Sequence, residues 1–592
     1  MKRTLALLTT AIIMVTSLQA QEDGGYNESV IVRGAFLPDI NPGEKLHFPA
    51  TVTDSMEHIE RTFNYSITPT RLKALYEPTR IKAARIVGEP TTRLYNNYFR
   101  LGMGNYWSPL ADLYWNSTRD RKKTYGIRLN HRSSWGSLNN VGSAEAHSDA
   151  ARAYGSNQTN QTSATLFGKY IIGEQLQLSS DLSYEHDHNL YYGFNDSTLQ
   201  SVLGQSRNDI ALHDYRASYN VATWNIGISN MELDANKLGY AADIHINDLW
   251  GVWGQNELNL NLNGDVHYGF NIANQYKGIA YLHAEWDAYR NSHPSSEMPL
   301  GYSLPLQDDT LTAFSNIVSI NPYAVFLISG LNIHAGVTMG WDGCQRHNPT
   351  QFMFFPDVSV SKSLLKDNIV LSLAATGGIK AVSLNSIRLL NPYIAPDYTA
   401  TSSSHYDFIG HARWTFSRKL EANAEVSYSL LYDPTFKLST CYALNNVYEV
   451  VFNNMNRLTV GADVTFVNDE MITLRVGGHY YHYDFTDLGA TELTWSRYYR
   501  PDWDALLSLD LNYQYKWFFH LEGQLLGKMD SDNGDIPMRY GIAAQVEYRH
   551  NRALSFFLQA DNLAFQRYWY WANYPSQLGL FTLGLTYTIP QK

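Results

Sequence analysis

The stretch Phe581–Ile589, FTLGLTYTI, divides by parity. Phe581, Leu583, Leu585, Tyr587 and Ile589 are apolar or aromatic, whereas Thr582, Gly584, Thr586 and Thr588 are small or polar. A period of two belongs to a β-strand whose two faces meet different surroundings. In a soluble sheet the apolar face would meet a core. In a membrane barrel it would meet lipid, and the polar face a lumen.

Working back from this stretch, the same division recurs. Leu258, Leu260, Leu262, Val266 and Tyr268 alternate with Asn259, Asn261, Asn263, Asp265 and His267; Leu458, Val460, Ala462, Val464 and Phe466 alternate with Thr459, Gly461, Asp463 and Thr465. The second face is as polar as a surface. Soluble strands run to about five or six residues, whereas a strand tilted through a bilayer needs about 9 to 11, the length of these runs. Length therefore favours lipid. From Tyr98 to Ile589 the pattern gives about 22 or 23 strands, and closure with both termini on one side requires an even number, so about 22 is expected. The region 195–275 is where the pairing can be read in more than one way.

Connections alternate in length as well. Short turns lie near 550–552, 467–470, 418–420 and 365–367, and longer loops near 563–579, 486–502, 434–456 and 382–404. Periplasmic turns and extracellular loops would give that alternation, which places both termini in the periplasm. The fold expected is all-β, a transmembrane antiparallel barrel over residues 98–592 preceded by a short N-terminal periplasmic or lumenal segment, residues 21–97.

The first twenty residues read as a secretory signal peptide. Lys2 and Arg3 supply the charged start, Leu5 to Val15 the apolar run, and Ala20 a small residue before a cut at Gln21. Beyond it no run approaches the roughly 20 apolar residues of a spanning helix. The chain nevertheless holds 42 Tyr, 14 Trp and 24 Phe, residues that barrels place in girdles at the two membrane interfaces. A net charge of −11 argues against a nucleic-acid partner. Two cysteines, Cys344 and Cys441, cannot form a disulfide scaffold; they can pair in an oxidising envelope or stay free.

Residues 21–70 carry eight acids against three bases, and residues 71–93 six bases against two acids. The basic part suits either a solvated linker or docking into a lumen lined by Asp181, Asp265, Asp463 and Asp510. Clusters that could carry chemistry are few. Glu185, His186, Asp187 and His188, and likewise His479, His482 and Asp484, offer metal-ligand types, but on a strand neighbouring residues point to opposite faces. Two imidazoles alone are too few for zinc. Asp530, Asp532 and Asp535 beside Gly534 resemble part of a calcium loop without its closing glutamate. No nucleophile stands at a telling distance from a base, so neither enzymatic activity nor a cofactor or metal is expected.

The closing stretch ADNLAFQRYWYWANYPSQLGLFTLGLTYTIP, Ala560 to Pro590, resembles the last two strands of TonB-dependent outer-membrane receptors, through Asn562, Leu563 and Tyr568, then Tyr574, Pro575, Gly579, Leu583, Gly584, Leu585 and Tyr587. Ala564 stands where that family has an aromatic residue, and the chain runs past its last alternating residue to Lys592. At the other end NESVIVRG, Asn27 to Gly34, is similar to the family's TonB box, with Glu28 leading Val30, Ile31 and Val32. The resemblance implies an outer-membrane location, contact with lipid, recognition by the barrel-assembly machinery, and pairing of the box with a periplasmic energy-transducing protein. The family's folded plug has no counterpart of adequate length in 35–97, so the plug is expected to be missing or vestigial. Three functions stay open: a part in transport across the outer membrane, a structural or assembly role beside another outer-membrane subunit, and a passive porin-like channel. A 22-stranded lumen is normally plugged, so the chain's own segments or a partner should fill it.

Overall fold

The computed structural model describes residues 95–590, apart from 118–119, 121, 137, 143–151, 156, 174, 193, 196–215, 231–237, 273–275, 293–311, 329, 345–350, 396–397, 440–446, 469–470, 486–496, 532–534 and 572–573. The signal-peptide reading, Glu28, Val30, Ile31 and Val32 of the box, Cys441, Asp532 and Gly534 all lie outside the described residues.

Twenty-two strands form one antiparallel sheet in sequence order. It closes because the first strand, Tyr95–Gly104, pairs with the last, Leu580–Pro590, from Tyr98↔Thr588 to Gly104↔Thr582. Closure joins the sheet's two terminal strands, which is what allows a sheet to stand in hydrocarbon. The region whose pairing was ambiguous resolves into Arg216–Asn230, Gly239–Gly251 and Asn256–Ile272, each paired to the next. The last two are joined by a tight turn in which Gly254 takes a φ of 87° that only glycine adopts freely.

Alternation in sequence becomes inside and outside. Leu583 is 66% exposed and Leu373 70%, and Phe581, Leu585, Tyr587 and Ile589 are exposed on the same outward face as Leu583. The inward face of that last strand is packed instead. Thr582 and Thr586 are buried, and a Cβ on Gly584 would stand 2.3 Å from the Leu101 carbonyl oxygen. Elsewhere the inward face carries polar ladders such as His283–Asp265 at 2.8 Å, His334–Asp357 at 2.7 Å and Asn261–Glu285 at 2.7 Å.

The two ends of the barrel differ. Tyr95 and Pro590 lie at the end that also holds the short turns, such as those between Leu364 and Ile369, Ser417 and Leu420, and Asn468 and Ile472. The other end carries the long connections, including those between Val382 and Thr401, Tyr432 and Met455, and Asp561 and Leu580. Among the described residues most of the buried apolar side chains cluster there.

One pair of strands departs from the wall. Gln351–Leu364 and Ile369–Val382 each have 14 residues, so their register would pair them throughout, from Leu364↔Ile369 to Gln351↔Val382. The ladder stops halfway, at Val358↔Ala375. Beyond the fork, Gln351–Asp357 stay paired to Leu331–Asp342, and Thr376–Val382 stay paired to Thr401–Asp407. The second pair leans inward, with Ser404–Asp407 still paired to Ser429–Tyr432 of the next strand. Gly340, on the inner face, leaves the space into which Ile379 fits, since a Cβ there would lie 2.5 Å from the Ile379 Cδ1. On the vacated edge the Phe354 carbonyl accepts from the Tyr406 hydroxyl at 3.1 Å. Pro356, two residues on and facing the same edge, has no N–H to leave unpaired.

Replacement of Leu585 by Arg should cost about 2–4 kcal/mol if the outward face meets the middle of a bilayer. Ser508→Arg, inward and opposite Glu522, should cost far less. Loss of the folded, heat-modifiable band for the first variant and its retention for the second is the expected result on gels; retention for both would place water, not lipid, outside Leu585.

Candidate functional site: a mouth closed from within

The inward hairpin carries the helix Leu384–Leu390 between its strands. Ser383 caps it in a capping box with Ser386, which starts a helix where the Gly-Gly-containing strand ends. The first helical amides are held by the wall. Leu384 N donates to Glu257 Oε2 at 2.7 Å and Asn385 N to Glu257 Oε1 at 3.1 Å, while Asn291 Nδ2 donates to Oε2 at 3.0 Å. Glu257 is 0% exposed, and three donors on its carboxylate offset the cost of burying it.

The other end of the helix is held by Arg388, 1% exposed. Its guanidinium reaches Asp187 at 3.4 Å and Glu185 at 3.6 Å, both on the inner face of Leu176–Leu190, and lies over the Tyr219 ring at 5.7 Å. The returning chain is pinned as well. Ala400 N donates to Asn291 Oδ1 at 3.1 Å, the Ala400 carbonyl accepts from Ser315 Oγ at 2.8 Å, and Ser402 donates to Asp342. The hairpin thus spans the mouth, fixed to five wall strands.

Loops from the rest of the rim pack on it through aromatic rings. Tyr393 stacks on Tyr574 at 3.7 Å between centroids, Tyr192 meets Tyr574 edge-on at 4.8 Å, and the Tyr192 hydroxyl donates to the Pro575 carbonyl at 3.1 Å. Tyr448 N donates to the Tyr393 carbonyl and Ala395 N to the Tyr448 carbonyl, a short parallel bridge between two loops. Burial pushes the Tyr191, Tyr192 and Tyr574 phenols well above their ordinary range, so the cluster stays neutral at any physiological pH. Asn562 takes a φ of 52° and donates through its side chain to the Gln566 and Gln577 carbonyls, which folds the loop that presents Tyr574.

Beside the hairpin lies a cavity of about 670 Å³. Inner-face residues Ser134, Thr159, Arg539 and Asp561 wall one side, and Tyr393, Tyr499 and Tyr568 to Trp571 the other. Arg539 lies over the Tyr568 ring at 5.0 Å. The size is that of small-ligand sites, which run from about 300 to 1,000 Å³.

The metal-ligand clusters do not converge. His186 points outward with Asn220 at 2.9 Å and stacks with His188, whereas Glu185 and Asp187 point inward to Arg388. His479 meets Asp504 inside at 3.0 Å. His482 and Asp484 lie on the opposite parity of that strand. Asp535 is paired with Lys528. Among the described residues no three His, Cys, Asp or Glu side chains form a group able to hold a metal. Cys344 is a buried free thiol, pushed up to about 12 by burial and by Asp342. The feature that sequence reasoning missed is Arg388: nothing local in its helix marks it, and its partners lie about two hundred residues away.

No protein-family model and no curated protein matches the chain. Solved structures do. A mutant of the ferric enterobactin receptor PfeA of Pseudomonas aeruginosa is 12% identical over 83% of this chain and 80% of that one, with a TM-score of 0.59. The siderophore receptor PirA of Acinetobacter baumannii is 10% identical over 85% and 81%, with a TM-score of 0.60. The FrpB iron transporter of Neisseria meningitidis (F3-3 variant) is 10% identical over 84% and 82%, with a TM-score of 0.61. Each is similar to this chain in fold.

Two outcomes are expected from the mouth. Arg388→Ala leaves Asp187 buried without its cation, a loss of about 3–5 kcal/mol to the docked hairpin. It should raise conductance in planar bilayers and expose the hairpin to protease, with Arg388→Lys in between; unchanged conductance and protection would show that the ion contacts do not hold the closure. Cys344, protonated at pH 8, should resist maleimide in the folded barrel and react after denaturation.

Proposed function

We propose that this chain is an outer-membrane barrel of TonB-dependent-receptor type that takes part in moving a solute across that membrane. The observation that carries this reading is a wide barrel whose mouth is stoppered by its own hairpin beside a cavity of ligand size. An open channel has no use for a stopper anchored at both ends, which weighs against the porin-like reading. The structures of the same fold, two siderophore receptors and an iron transporter, support transport as the task.

In this reading both termini are periplasmic, the outward face meets outer-membrane lipid, and the barrel-assembly machinery inserts the chain. The stretch Glu28 to Val32 pairs with a periplasmic energy-transducing protein by strand addition, the mode in which an extended segment gains affinity through its backbone. Proline at Ile31 removes a ladder donor and lies outside the barrel, so Ile31→Pro should abolish energy-dependent uptake while the heat-modifiable barrel persists. Cells that keep every phenotype with Ile31→Pro, or with residues 21–34 deleted, would exclude energy coupling and favour a structural partner of another outer-membrane subunit.

Orientation is checked by labelling in a Cys441→Ser background. Asn454→Cys, at the loop end, should react with an impermeant maleimide on intact cells, and Arg418→Cys, in a short turn, only after the outer membrane is opened; the reverse pattern would invert the topology.

A further inference from the structure

Resting on the reading of the cavity beside the hairpin as the solute site, we infer that its ligand is an amphiphile with a single carboxylate, held by Arg539, and a compact apolar body of the aryl-alkyl kind. The cavity of about 670 Å³ is apolar over much of its lining, through Leu390, Pro392, Leu526, Met529, Leu578 and Leu580. Leu526 and Leu580 stand at inner-face positions, opposite Asp504 and Asp561 on the neighbouring strands, so the wall itself turns apolar where it borders this space. Leu390, at the end of the hairpin helix, is 63% exposed, whereas Leu384 and Ile387 of the same helix are buried. A leucine fixed on an anchored helix and left open to a cavity is apolar surface that a ligand gains affinity by covering.

The charge on the lining selects the other half of the ligand. The Arg539 guanidinium lies over the Tyr568 ring at 5.0 Å, and its Nη2 donates to Gln524 Oε1 at 3.4 Å. That uses one of five N–H donors, and among the described residues no carboxylate pairs with it. Asp561, the acid on the lining, is engaged elsewhere. It accepts from Gln559 Nε2 at 3.2 and 3.4 Å and shares a recess of the inner wall with Arg132. The Ala544↔Ala560 pair sets Asp561 four residues deeper in the barrel than Arg539, roughly 14 Å along the wall. A guanidinium with one face on a ring keeps its edge for a ligand, and that edge matches a carboxylate in a two-bonded fork. One free cation suits one negative charge. A multiply charged iron complex would meet Asp561 in the same cavity with no second free arginine to offset it.

The test uses the full-length barrel in phosphatidylcholine nanodiscs and calorimetry, with naphthylacetate as the probe and naphthylacetamide and a ferric catecholate complex as comparisons. Naphthylacetate should bind, the neutral amide on the order of 10- to 100-fold more weakly, as loss of a charge-assisted pair requires, and the iron complex more weakly than the acid. Arg539→Gln should weaken binding of the acid by the same factor and leave the amide unchanged, whereas Leu390→Ser should weaken both. Arg539→Glu should transfer the preference to naphthylethylamine, a gain that a misfolded barrel could not show. Equal binding of acid and amide to the unaltered barrel, preference for the iron complex, no binding of naphthylacetate, or acid binding unmoved by Arg539→Gln in a barrel that keeps its heat-modifiable band would each overturn the assignment. Because the readout is binding to the isolated barrel, its failure leaves the Ile31→Pro result untouched, and the two readings fall separately.

Discussion

A sheet in hydrocarbon cannot leave its terminal strands unpaired, and that constraint governs the rest of this molecule. The Tyr98↔Thr588 to Gly104↔Thr582 ladder meets it by joining the first strand to the last. Closing twenty-two strands makes a circumference that wall side chains cannot fill, because interior volume grows faster than the number of residues lining it. The inward hairpin answers this. It brings a second layer of backbone into the lumen, and its buried ends are satisfied by Glu257, Asn291, Asp187 and Ser315 of the wall.

The hydrophobic core is therefore displaced. A soluble protein buries its apolar residues at the centre of its sheet, but here the sheet's apolar face looks outward and the packed cluster of Tyr192, Leu249, Ile387, Tyr393, Tyr448 and Tyr574 sits at the rim. Tyrosine suits that place. Its ring packs in a stack or edge-on, and its hydroxyl can reach a loop carbonyl, as Tyr192 does with Pro575.

The wall was legible in the sequence because a period of two is a local property. Phe581 to Ile589 announces its outward face with no knowledge of any neighbour, and an even strand number follows from closure. The inward hairpin was not legible. Thr376 to Val382 still alternates like a wall strand, and what pulls it off the wall is Gly340, thirty-odd residues earlier in sequence, together with Glu257 and Asp187 much further back. Asp187 illustrates the difficulty. In its local stretch it stands among two histidines and a glutamate and suggests a metal, but parity sends the imidazoles outward and leaves the carboxylates to wait for an arginine on another element. For the same reason the cavity could not be foreseen: its lining is gathered from strands and loops spread from Ser134 to Leu580.

The hairpin's anchors also impose an order in time. Its partners are distributed over strands that begin at Leu176 and Arg216 and over a loop that ends at Leu580, so almost the whole circumference must stand before the berth exists. Contacts of such sequence separation form late, after the loop-closure entropy of the wall has been met. The vessel is finished before its stopper is seated, and the newly inserted barrel passes through an interval in which it is closed at its seam but still open at its mouth.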